Sequence, residues 1–176
     1  NKHQWFETGA LNKIEACYWT KFPTWEEQLK GGHPVYAGDT NHLLGKRITL
    51  DPGHLAGDLE TAKMEKKWVD IKNPQATLIE GELTLATALI LKRKLEAEGA
   101  TVMMTRDKPN ISAFGIDFVK WTDSLFIKAA EDAYIRQDIS FEEKNYLLTK
   151  ATNLEIFRRF FLLEDLRERA RKINEF

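Results

Sequence analysis

Two residues of the chain have the types and placement for metal chemistry. His54 closes the run Ile48-Thr49-Leu50-Asp51-Pro52-Gly53-His54, and Glu80 follows 26 residues later where a helical pattern begins. A neutral imidazole and a carboxylate are both competent zinc ligands, at about 2.0–2.2 Å from the ion. The bland alternatives are a hydrogen-bonded loop histidine and an acid favoured in a first helical turn by the macrodipole. Glu82 competes with Glu80, and periodicity does not choose between them. Other chemistries lack their patterns: there is no Gly-x-x-x-x-Gly-Lys-Ser/Thr phosphate loop, no Gly-x-Gly-x-x-Gly turn and no Gly-x-Ser-x-Gly elbow. Cys17 has no nucleophile pattern around it and reads as a structural thiol, while His3, His33 and His42 lack ligand-like spacing.

The elements that must bring His54 and Glu80 together are readable. Lys46-Arg47-Ile48-Thr49-Leu50 is β-prone and must end at Pro52 and Gly53, because proline cannot continue a central ladder. Residues 55–79 are mostly polar and read as a loop. From Glu80 to Glu98 the pattern is helical, with Leu83, Ala86, Ile90 and Leu95 near one face, and Gly99 is suited to stop it. Thr101-Val102-Met103-Met104-Thr105 reads as a second strand. Strand, helix and strand in this order predict an α/β fold with an open, largely parallel sheet flanked by helices. Ligands of such sheets bind at the carboxyl edge of the strands, where His54 and the start of the helix both belong.

The remainder is less regular. Residues 1–45 read as an irregular N-terminal extension, whose aromatics Trp5, Phe6, Tyr18 and Trp19 serve to pin it to the domain or to stack on sugars. Residues 46–176 form the α/β part, carrying a mainly helical insertion over about 107–160. A last helix is predicted over Leu154–Asn174 with Phe157, Phe161, Leu166, Ala170 and Ile173 inward. The 176 residues carry 26 Lys and Arg against 27 Asp and Glu, for a formal charge of −1, which argues against a nucleic-acid binder. One cysteine excludes an internal disulfide framework. No stretch approaches the roughly 18 apolar residues of a membrane helix.

The run ending in Asp51-Pro52-Gly53-His54 resembles the start of the zinc-dependent N-acetylmuramoyl-L-alanine amidases of the amidase-3 type, which hydrolyse peptidoglycan. Glu80-Gly81-Glu82-Leu83-Thr84-Leu85-Ala86 is similar to the opening of that family's first helix. Leu95 to Val102 and Thr105-Arg106-Asp107 resemble its helix end and second strand, and Leu166, Arg169 and Asn174 match its Leu-x-x-Arg-x-x-x-x-Asn helix. The likeness covers about 46–107 and 164–176. Leu55-Ala56-Gly57-Asp58 stands where the family has Gly-Gly, and the insertion is not in the common pattern.

That resemblance implies zinc held by His54 and Glu80, in preference to Glu82, with Asp51 either orienting His54 or simply ending the strand. A third ligand, a histidine, and the catalytic glutamate are expected beyond Phe176, so the chain reads as the first part of an amidase domain. The bond cut would join N-acetylmuramic acid to L-alanine, in the periplasm or outside the cell. The competing reading is a non-catalytic cell-wall-binding or scaffold protein that keeps the fold. For the insertion, three roles stand open: a lid, a docking element for an activator protein, or a helical buttress.

Overall fold

The computed structural model describes residues 42–72 and 75–176. The N-terminal extension with its aromatics, Cys17, His3 and His33 falls almost wholly outside the described residues. Strand β1 (Arg47–Leu50) pairs in parallel with β4 (Thr101–Met104), in register from Arg47 opposite Thr101 to Leu50 opposite Met104. Between them run helix α1 (Leu59–Glu65), strands β2 (Trp68–Lys72) and β3 (Gln75–Ile79), and helix α2 (Glu80–Ala97). The fold is mixed α/β, as the sequence predicts. Among the described residues the parallel sheet has two strands, and β2 and β3 form a separate antiparallel pair.

The loop expected over 55–79 is therefore a helix and a hairpin. Asp58 caps α1 by accepting a hydrogen bond from the Thr61 N–H at 2.7 Å, satisfying a donor that a helix start otherwise leaves open. Ala56, Ala62 and Ile79 form a small buried cluster, with Trp68 packed against it. This cluster ties the loop after His54 to α1 and the hairpin.

Helix α2 buries a different face from the one expected. Gly81, Leu85 and Ala88 are buried, whereas Leu83 and Ile90 are 45% and 43% exposed. The helix is apolar on several sides, so periodicity cannot select one. Close contact selects it instead: a β-carbon on Gly81 would lie 2.2 Å from the Ala56 carbonyl oxygen. Only glycine lets the helix sit directly on that backbone.

Residues 118–176 build a helical unit from α3 (Phe118–Ser124), α4 (Phe126–Ile135), α5 (Phe141–Thr149), α6 (Asn153–Ile156) and α7 (Leu162–Glu175). A π-helical turn, Phe157–Phe161, joins α6 to α7. Trp121, Phe126, Leu147, Ile156, Phe157, Phe160 and Phe161 form its core. The rings pack at tilted and edge-on angles, with Trp121 and Phe161 centroids 4.9 Å apart, the geometry that aromatic quadrupoles favour. In α7 the expected inward face is corrected. Leu166 and Ile173 are 56% and 40% exposed, while Glu164, Asp165 and Arg169 are buried. Glu164 pairs with Arg136 and Arg167, Asp165 pairs with Arg169, and Arg169 bonds to the Pro52 carbonyl, which together draw that polar side inward. Among the described residues, no helix is long and apolar enough to cross a membrane.

Candidate metal centre

His54 and Glu80 meet. The imidazole Nε2 lies 3.2 Å from a Glu80 carboxylate oxygen, and both side chains are partly open to solvent. His54 follows the carboxyl end of β1 by three intervening residues, and Glu80 is the first residue of α2. The parallel pairing and the return of α2 onto the Ala56 backbone are what bring them together. Lys67 Nζ stands 3.9 Å from the same Glu80 oxygen, so a cation already faces this carboxylate. Glu82 does not share this position: it is exposed, and partial desolvation together with the nearby Asp58 charge raises its carboxyl above the usual range.

The backbone at His54 is unusual. Its φ is +54°, in the left-handed region that a side chain normally disfavours. Such a conformation persists only where its surroundings hold it. Arg106, directly beyond Thr105 at the end of β4, supplies one hold. It is 3% exposed, and its Nε donates to the Pro52 carbonyl at 3.2 Å. Its Nη2 donates to the carbonyls of Gly53 at 3.0 Å, of His54, and of Gly81 at 3.1 Å. One guanidinium thus ties the turn bearing His54 to the first turn of the helix bearing Glu80. Its planar fork of fixed N–H donors suits it to this task, which a single ammonium point charge would not perform. Burial and the neighbouring Arg169 charge lower the Arg106 pKa to about 10, against the opposing pull of Glu65, Asp165 and Asp51, and it remains charged at neutral pH. Thr84 adds a hydroxyl bond to the Gly53 carbonyl at 2.5 Å.

Asp51 faces elsewhere. Its carboxylate accepts from the Thr105 hydroxyl at 2.5 Å and from Arg169 Nη1 at 3.1 Å, and no hydrogen bond joins it to His54. Its observed part is to tie the ends of β1 and β4 to α7. Arg169 also donates to the Pro52 carbonyl at 2.9 Å and pairs with Asp165 at 2.7 Å, whose other oxygen accepts from the Ala113 N–H. On the far side of His54, Glu65 accepts from the N–H groups of Leu55 and Ala56 at 2.8 and 3.0 Å. Asn110 donates its N–H to the Leu55 carbonyl and accepts from the Gly57 N–H at 2.7 Å.

The sequence assigns no role to Arg106, Arg169, Glu65 or Asn110: Arg106 and Arg169 lie in the motifs that carry the resemblance, but nothing in their spacing says that they are buried. A polar residue directly after a strand that must abut a tight turn is the signal that marks Arg106. Among the described residues, no group of three or more His, Cys, Asp and Glu side chains gathers around His54 and Glu80 or elsewhere.

No family model and no solved structure matches the chain. Curated relatives do. The chain is 43% identical over 68 residues to the probable cell wall amidase LytH of Staphylococcus aureus, and equally to that protein from strains USA300 and COL. The match covers 39% of this chain and 20% of each relative, so the chain spans about a fifth of the length of the curated relatives it matches. Over that part, the chain is similar to probable cell wall amidases.

Proposed function

We propose that this protein belongs to the peptidoglycan amidases and acts as a zinc-dependent hydrolase outside the cytoplasmic membrane. Its bond is the amide between N-acetylmuramic acid and L-alanine. The observation that carries this reading is the 3.2 Å approach of His54 Nε2 to Glu80 Oε2 at the carboxyl edge of the parallel strands. Two ligand atoms each about 2.0–2.1 Å from a tetrahedral ion stand roughly 3.3–3.4 Å apart, so the pair already has the spacing of one edge of such a site. The donor set, one imidazole nitrogen and one carboxylate oxygen, fits zinc, and a complete site requires at least one further protein ligand. The partial likeness to a probable cell wall amidase supports the substrate class.

Zinc held at such a site supplies Lewis-acid polarisation of an amide carbonyl and activation of a water. This chain's residues supply the placement. Arg106 fixes the carbonyls of Pro52, Gly53 and His54 and links them to Gly81, so the imidazole and the carboxylate are held on one frame. Lys67 partly balances the Glu80 charge.

The test is muropeptide release from purified sacculi by the full-length protein, with bound zinc measured in parallel. His54→Ala and Glu80→Ala are each expected to abolish release and to lower zinc content while leaving the circular dichroism spectrum unchanged. Undiminished release by Glu80→Ala sinks the ligand assignment. Sedimentation with sacculi without zinc and without release would instead establish the wall-binding reading.

A further inference from the structure

The chain continues Asp51-Pro52-Gly53-His54 with a large apolar residue, Leu55. Leu55 is 1% exposed and belongs to the same buried cluster as Trp121, Phe126, Phe157, Phe160 and Phe161, the core of the helical unit. Its backbone is fixed as well, its N–H by Glu65 at 2.8 Å and its carbonyl by the Asn110 N–H at 3.0 Å. The helix carrying Glu65 is itself held from the π-helical turn, where Arg158 donates to the carbonyls of Met64 at 2.6 Å and Lys63 at 3.1 Å. His54, with its φ of +54°, therefore sits between two anchors. On one side Arg106 grips the carbonyls of residues 52–54, and on the other the helical unit grips Leu55.

We infer that the helical insertion is a positioning element for the His54–Glu80 pair, and that Leu55 is the residue through which it acts. A left-handed conformation at a residue with a β-carbon persists only while its surroundings hold it, so releasing one of its two anchors weakens that hold. Leu55 withdrawn from its core lets His54 rotate away from Glu80. The same release loosens Ala56, on whose backbone Gly81 and the start of α2 rest. The mechanical coupling stands without any metal, whereas its consequence for zinc affinity rests on the function proposed above.

The experiment compares Leu55→Ala, Leu55→Met and Leu147→Ala in the full-length protein. Leu147 lies in the same core and is 3% exposed, so its truncation measures loss of packing alone. Two quantities are read: amide hydrogen exchange at Ala56 and Gly81 in metal-free protein, and zinc affinity by competition with a chelating dye. Leu55→Ala should speed exchange at Ala56 and weaken zinc binding, each roughly tenfold, the lower end of what loss of a residue supporting a metal ligand produces. Leu55→Met, which keeps the volume, should return both to near the wild-type values. Leu147→Ala should lower the melting temperature and leave both quantities nearly unchanged. If Leu55→Ala does not fold, Leu55→Val provides the same two readouts. Unchanged exchange at Ala56 in Leu55→Ala (or in Leu55→Val, if that variant is used) overturns the inference, and so does an equal change in Leu147→Ala. If the wild type and His54→Ala take up zinc equally, the zinc reading fails, and the exchange data still decide the coupling.

Discussion

The turn that carries His54 and the helical unit beside it are held by opposite means. Around the turn, two buried guanidinium groups and a half-buried carboxylate make directional bonds to backbone: Arg106 to four carbonyls, Arg169 to one, and Glu65 to two N–H groups. In the helical unit, rings pack against rings with few polar groups among them. Directional bonds set positions to within a few tenths of an ångström and tolerate little change of shape. Packing of apolar side chains fills volume and accepts substitutes of similar size. At the candidate site positions are set by bonds, while the packed unit meets that turn through the buried Leu55.

Substitutions at Arg106 should show the largest effect. Arg106→Leu leaves the carbonyls of Pro52, Gly53, His54 and Gly81 without this donor, and each buried acceptor left unsatisfied costs on the order of 1–3 kcal/mol. Arg106→Lys sharpens the comparison, because it keeps the charge and loses the fork. Denaturant melts of both variants should show a large loss, with lysine recovering only part of it. Full recovery by lysine would mean that charge, not direction, holds the turn.

A moderate effect is expected in the packed unit. Leu147→Met keeps the volume of a core side chain and should cost less than about 1.5 kcal/mol in the same melts, with zinc content unchanged. A loss as large as that of Arg106→Leu would erase the distinction between the two regions.

The smallest effect concerns acid stability. The Tyr146 hydroxyl, with the Thr152 N–H and hydroxyl, lowers the Glu155 carboxyl to about 2. Its folded-state pKa is depressed, so the stabilisation is complete above the ordinary carboxylate value near 4.5 and disappears as the pH falls towards 2. Tyr146→Phe should flatten the dependence of melting temperature on pH between those limits by a small amount. At pH 7 its effect on zinc content should be nil, since Tyr146, Thr152 and Glu155 bond to one another and not to the turn bearing His54. An unchanged acid limb would show that the bond contributes nothing in solution.

Much of the frame was readable because local chemistry dictates it. Pro52 and Gly53 end β1, and Gly99, at φ +91°, stops α2 in the conformation that glycine alone adopts freely. The mainly helical character expected over about 107–160 agrees with the helices that the structure contains there. Helix α1 carries a local start signal, since Asp58 precedes a run of helix formers, but the run is only seven residues long. The polar character of 55–79 concealed both α1 and a hairpin.

What the sequence determined by itself is the order of strand, helix and strand, and with it the carboxyl edge that receives both His54 and Glu80. That follows from hydrophobic period and from residues that stop elements, which act over a few positions. Which face of α2 and α7 turns inward was decided only by tertiary structure. There Gly81 admits the Ala56 backbone, and Asp165 and Arg169 find partners 52 and 118 residues away. The burial of Arg106 and the capture of Leu55 belong to the same class. Each depends on a cavity or a set of carbonyls assembled from distant segments, and no local pattern encodes a partner that exists only once the chain has folded.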